Sequence, residues 1–331
     1  MKVGFMGRGK TGLRILRSIL DRGFDVPFIW TCRHTPEVGA SPEAFESIAR
    51  SHGIPYAYVE SINRDEWVER LESHDIDTLV AIFWMDKVGK RVLDLPDHGV
   101  LNLHGGALPR YRGNAAANWA ILEGETELGI TVHKMEAKLD SGPILAQETV
   151  PITDETTVED LVEATREVGT ALIVEILDDF RQGVPVYPKP QNEDEAMRCY
   201  PRLPEYGRID WTESATRIDR HIRSLGGPYP DAYTYHGRDR VSIHEASVLE
   251  PCPDHLAEPG HIVRAEAEGD IWIGTGNGIL VVSKLSINDG RPISPGEEFR
   301  SIRDRFGMNL QKQVCELSER VAEIENRLDE K

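Results

Sequence analysis

Short apolar runs alternate with amphipathic stretches through the first half of the chain. Residues 2–6 (KVGFM) read as a strand ending in glycines, and the spacing over 13–22 is helical. Residues 26–32 form a second apolar run. Ser41 caps a predicted helix over 41–52, with Ala44 and Ile48 on its apolar side. Residues 54–59 are strand-like and 65–74 helical. The run 76–84 (IDTLVAIFW) is almost wholly apolar, the pattern of a strand buried on both faces. Strands alternating with helices predict βαβ units and a parallel sheet. A further strand over 99–104 (GVLNLH) carries polar residues at its end, and the loop GGALPRYRGNA follows. A helix over 114–124, strands over 129–135 and 144–150, and a long amphipathic helix over 157–183 complete this part.

The pattern then changes. Residues 184–207 are rich in proline and charge and are expected to be a linker. A helix over 212–224 and the turn GGPYPDA open a second unit, 208–307. Its short strands, with turns about every ten residues, predict a small β-barrel or sandwich. The catalytic part is expected within 1–183.

Composition narrows the class. The 331 residues hold 38 Lys plus Arg against 56 Asp plus Glu, a net charge of −18. A nucleic-acid partner is therefore not expected, because phosphate binding leaves a basic footprint. No apolar run reaches about 18 residues, so no membrane span is expected. The N-terminus reads as a strand and turn, not a signal peptide. Cys32, Cys199, Cys252 and Cys315 are far apart, with no CxxC. Neither a zinc site nor a disulfide framework is implied, no metal is expected, and a cytoplasmic protein with reduced thiols is.

Two stretches carry chemistry. Residues 7–12 (GRGKTG) match GxGxxG between a strand and a helix, a context that can bring backbone N–H groups to a phosphate. The next strand ends Trp30-Thr31-Cys32-Arg33, without the acid that holds a ribose hydroxyl. A tight βα turn, an anionic substrate and an NADP-type cofactor all stay open. The stretch 99–150 says more. Asn102 and His104 are two apart on one strand and share a face, at the carboxyl end where open α/β sheets place ligands. Asp140 lies in the turn LDSG and can fold back onto His104. A strand histidine alone is as readily a hydrogen-bonded core residue. Asn, His and Asp together suit acyl transfer: an amide for the oxyanion, an imidazole for the proton and a carboxylate to orient it.

The segment LNLHGGALPRYRGNAAANWAILEGETELGITVHKMEAKLDSGPILAQ resembles the core of the 10-formyltetrahydrofolate-dependent formyltransferases. That family carries Asn-x-His-x-Ser-Leu-Leu-Pro-x-Tyr/Trp-Arg-Gly, then a Gly-(Val/Ile)-Thr strand, then Asp-x-Gly. The stretch 200–211 (YPRLPEYGRIDW) resembles the linker of the sugar-nucleotide branch. That branch, which includes the formyltransferase half of the enzyme acting on 4-amino-arabinose, is nearest in pattern. The resemblance implies a Rossmann-like catalytic domain, an OB-like β-barrel after it, and 10-formyltetrahydrofolate as co-substrate. It places Asn102, His104 and Asp140 on the catalytic trio. It places Asp86, Lys87 and Val88, Asn114, and Glu136, Ala137, Lys138 and Leu139 around the folate. The family's Ser-Leu-Leu is Gly106-Ala107-Leu108 here, which changes the shape of the amine pocket. Arg8, Lys10 and Arg202 are candidates for the diphosphate of a nucleotide sugar.

The expected function is N-formylation of a nucleotide-linked amino sugar. Methionyl-tRNA formylation is the alternative. It conflicts with charge, since residues 205–331 hold 16 Lys plus Arg against 23 Asp plus Glu. Hydrolysis of the folate is a third reading; such hydrolases usually carry a domain in front, and here the catalytic fold starts at Met1. Residues 308–330 form a separate element. Val314, Val321 and Leu328 fall at a, Leu310, Leu317 and Ile324 at d, Arg320 at g and Glu325 at the next e. This predicts either a helix packed on its own domain or a parallel zipper making a homodimer.

Overall fold

In a computed structural model the chain is described over residues 1–35, 38–267, 269–307 and 310–329. It divides into two compact units, one of Met1–Leu203 with Gly227–Tyr229, the other of Pro204–Gly226 with Pro230–Lys331.

The first unit is built on a seven-stranded sheet. Five strands run parallel: β1 (Val3–Gly7), β2 (Ile29–Thr31), β3 (Tyr56–Tyr58), β4 (Thr78–Ile82) and β5 (Val100–His104). Beyond a two-residue strand β6 (Arg112–Gly113), β7 (Glu127–Lys134) adds antiparallel to β5, and β8 (Ile144–Pro151) adds antiparallel to β7. The order is β3-β2-β1-β4-β5-β7-β8. Every residue of β1 and β4 is buried. Val3 and Phe5 of β1 face one apolar cluster and Met6 the other, as alternation on a doubly covered sheet requires. Helices α1 (Gly9–Asp21), α2 (Pro42–His52), α3 (Asp65–Glu72), α4 (Lys90–Leu93), α5 (Ala116–Glu123) and α6 (Val158–Gln182) accompany the sheet. The order reverses direction between β1 and β4, where such sheets open a crevice at the strands' carboxyl ends.

Local rules place the boundaries well where caps exist. Helix α6 starts at a reciprocal Thr157–Asp160 capping box and stops at Gly183 in the left-handed conformation. Helix α1 differs from expectation, starting at Gly9 instead of residue 13. The glycines of residues 7–12 serve close packing. A Cβ on Gly9 would lie 2.6 Å from that of Val38, and one on Gly12 would lie 3.3 Å from the Phe45 ring.

The stretch expected to be a linker, 184–207, is mostly part of the first unit. Lys189 bridges to Ile144, and β9 (Arg198–Cys199) pairs in parallel with β6. Backbone pairing and buried polar contacts are tertiary features that a proline- and charge-rich composition does not reveal. The second unit starts at Pro204.

That second unit is an antiparallel sheet with helix α7 (Ala215–Arg223). Its strands are β10 (Ala232–His236), β11 (Asp239–Val248), β12 (Ile262–Ala265), β13 (Ile271–Gly274) and β14 (Ile279–Ile287), ordered β10-β11-β14-β13-β12. Register shifts in the β11–β14 pairing mark a bulge, which bends a long strand. Trp211, Ile218, Ile222, Val241, Leu285, Phe299 and Phe306 share its core. The terminal helix α8 spans Leu310–Asp329. Its stripe residues Val314, Leu317, Val321 and Ile324 are 60%, 56%, 52% and 55% exposed. The side chains of Leu310 and Leu328, at the ends of the expected seam, lie outside the described residues. No helix is long and apolar enough to cross a membrane among the described residues.

Candidate active site

Strand β5 delivers Asn102 and His104 to the carboxyl edge of the sheet, and β7 lies against it with Asn102 opposite His133 and His104 opposite Thr131. The loop after β5 is held from β7 and β8. Thr131 Oγ1 donates to Gly106 O at 2.7 Å, and Gln147 Nε2 donates to Thr131 Oγ1 and Leu108 O. His104 is 7% exposed. Its Nε2–H donates to Tyr111 O at 2.7 Å, so in the neutral ring Nδ1 is the basic nitrogen. Gly106 makes this seat possible: a Cβ there would lie 2.6 Å from His104 Nε2 and 3.0 Å from Tyr111 O.

Asp140 folds back from the β7–β8 turn, as its sequence position suggested. Its Oδ2 lies 3.6 Å from His104 Nδ1 and accepts from Gly113 N at 2.8 Å. Gly113 has φ +104°, and a Cβ there would lie 2.4 Å from Cys199 O, so glycine is required for that donor. The former linker supports the same turn. Gln191 Nε2 donates to Asp140 O at 2.8 Å and to Gly142 O at 2.7 Å. Buried Arg112 holds Gln191 and Glu193, and Lys138 reaches Glu193 at 2.7 Å. These two cations hold the Glu193 carboxyl down at about 2. Tyr111, Ala115 and Asp140 all have positive φ, which concentrates backbone strain around the site.

Electrostatics assign the charge states. Burial pushes the pKa of His104 below that of a free imidazole, and this outweighs the pull of Asp140 and the Tyr111 carbonyl. Burial alone would raise the Asp140 carboxyl. The facing His133 and His104 rings and the Gly113 N–H outweigh it and hold the carboxyl below its ordinary value. At neutral pH the pair is thus a neutral imidazole beside a carboxylate. A proton arriving at Nδ1 creates an ion pair.

The trio opens onto a cavity of about 800 Å³. All eight residues expected around a folate line it: Asp86, Lys87 and Val88, Asn114, and Glu136 to Leu139. Arg8 lines it too, with Nε donating to Phe83 O and Nη1 to Thr35 Oγ1. Lys10 and Arg202 are not brought to the cavity. Lys10 is exposed and packs along Gly39, and Arg202 stacks 5.2 Å over the Trp119 ring. The sequence reading missed Trp84, His133, Thr165, Arg166 and Arg198, which also line the cavity. His133 sits on the strand opposite Asn102, and only the pairing register finds it. Among the described residues no cluster of His, Cys, Asp or Glu is placed to hold a metal ion.

Residues 31–177 match the family described as formyl transferase, and residues 203–303 match its C-terminal domain. The methionyl-tRNA formyltransferase of Geobacter sulfurreducens is 31% identical over 304 residues, covering 90% of this chain and 93% of that protein. The chain belongs to the formyltransferase family. It is an enzyme of that class. Among solved structures, WlaRD, a sugar 3N-formyl transferase in the presence of dTDP and 5-N-formyl-THF, has a TM-score of 0.63 at 16% identity. The alignment covers 88% of this chain and 99% of that one. HypX from Aquifex aeolicus in complex with tetrahydrofolic acid gives 0.61 at 20% identity, covering 88% of this chain. This formyltransferase spans only 45% of that longer protein.

Proposed function

We propose that the enzyme moves the formyl group of 10-formyltetrahydrofolate onto the amine of a nucleotide-linked amino sugar, acting in the cytoplasm, where its four free cysteines stay reduced. Charge carries the choice of acceptor. The second unit holds 16 Lys plus Arg against 23 Asp plus Glu, whereas a unit that grips tRNA neutralises phosphates. By contrast, Arg8, Arg166 and Arg198 line the cavity, which suits a small anionic acceptor.

The cavity fits the folate. Trp84 Nε1 is a buried donor without a hydrogen-bond partner among the described residues, and Trp84 lines the cavity together with Asp86 to Val88 and Glu136 to Leu139. The folate supplies an activated formyl carbon and a nitrogen leaving group. Asn102 donates to the formyl oxygen as negative charge develops there. His104 takes the amine proton on Nδ1 and returns it to the departing nitrogen. Asp140 stabilises the imidazolium that exists between those two events and keeps the ring aimed.

A second reading rests on the tRNA formyltransferases, 31–32% identical over nearly the whole chain. One experiment separates the two. The enzyme is incubated with 10-formyltetrahydrofolate and, in parallel, UDP-, dTDP- and GDP-linked amino sugars or methionyl-tRNA. A mass gain of one formyl group on a sugar nucleotide supports our reading. Formylation of the tRNA alone overturns it. The exposed heptad stripe of α8, with Arg320 at g and Glu325 at e, supports assembly as a parallel homodimer.

A further inference from the structure

We propose that His133 is a positioning residue that orients the Asn102 carboxamide for catalysis. The β5–β7 register sets the two side chains directly opposite each other. His133 is 1% exposed, so its hydrogen bonds are made within the protein. Its Nδ1–H donates to Lys134 O at 2.9 Å, which leaves Nε2 with a lone pair in the neutral ring. Asn102 Nδ2 lies 3.1 Å from that lone pair. A carboxamide has two nearly isosteric orientations, differing in which end carries the oxygen. The oxygen facing Nε2 would set two lone pairs against each other. The nitrogen facing Nε2 makes a bond and leaves the second N–H of Asn102 for the substrate. A main-chain carbonyl at residue 134 thus decides, through one ring, which end of Asn102 faces His133.

This inference rests on formyl transfer at the site, not on which amine is the acceptor. Three measurements test it. In ¹⁵N NMR at neutral pH, His133 should be protonated at Nδ1 and bare at Nε2; the reverse tautomer overturns the proposal. His133→Phe keeps the ring's bulk and removes the lone pair. It should lower kcat by about 10- to 100-fold, below the ~10²–10³ for removing an oxyanion donor outright, with both KM values little changed. His133→Gln restores an acceptor and should recover a large part of that loss. In an Asn102→Ala background, His133→Phe should cost almost nothing more, because residues acting as a unit are non-additive. Normal kcat in His133→Phe, a loss confined to KM, or a full additional loss in the Asn102→Ala background would each overturn it. Should His133→Phe fail to fold, the tautomer and His133→Gln decide. Failure of every sugar acceptor leaves the NMR result standing, so the two proposals fall separately.

Discussion

Replacing Asp140 with Asn removes one charge and almost no volume. The carboxamide oxygen that replaces Oδ2 still accepts from Gly113 N, which keeps the turn seated. In the ground state His104 is neutral, so little is lost there. In the transition state the ring carries a proton, and its Nδ1 stands 3.6 Å from the former carboxylate. Two unit charges at that separation attract by about 4–5 kcal/mol at an effective dielectric of about 20. At about 1.4 kcal/mol per decade, the rate should fall by roughly 10³. Single-turnover formyl transfer should register the loss in kcat, with both KM values close to wild type, because the charge acts on the transition state alone. A kcat within tenfold of wild type, in a correctly folded variant, would refute the assignment of Asp140 as the partner of a charged His104.

The buried imidazole makes a pH statement. His104 titrates below the ordinary value of about 6.5, so the unfolded chain takes up its proton first and stability falls as pH drops through that value. Urea melts at pH 7 and pH 5 should differ less in His104→Gln than in wild type; an equal difference would count against it. Gly142→Ala places a Cβ 1.8 Å from Lys134 O, forces the Asp140 turn open, and should cost about 1–3 kcal/mol as overpacking does; an unchanged melting temperature would contradict this. Arg8→Ala should raise KM for the acceptor while Lys10→Ala leaves it alone, since only Arg8 lines the cavity; steady-state kinetics with both variants checks the pair. Truncation after Gly307 should give a monomer by light scattering with activity per site retained, and a truncated dimer would remove the zipper.

Much of this protein is written in short-range patterns. The apolar run at 76–84 has the pattern of a strand buried on both faces, and β4 within it is buried at every position. Thr157, Asp160 and Gly183 mark both ends of α6, because capping is satisfied within a few residues. Asn102 and His104 were legible as a pair because strand alternation puts them on one face, and Asp140 because it lies in a turn between neighbouring strands. Other features depend on contacts the local pattern does not encode. His133 meets Asn102 only through the β5–β7 register. Gln191 and Arg112 meet beneath the Asp140 turn from 79 residues apart, in a stretch whose composition reads as a free linker. Lys10 and Arg8 look equivalent in the glycine motif, and helix α1, starting at Gly9, separates them by turning one from the cavity the other lines. Periodicity and capping follow from the chain's immediate neighbours. The tautomer of a buried ring and the support beneath a carboxylate follow from which distant segments pack together, and only the folded chain decides that.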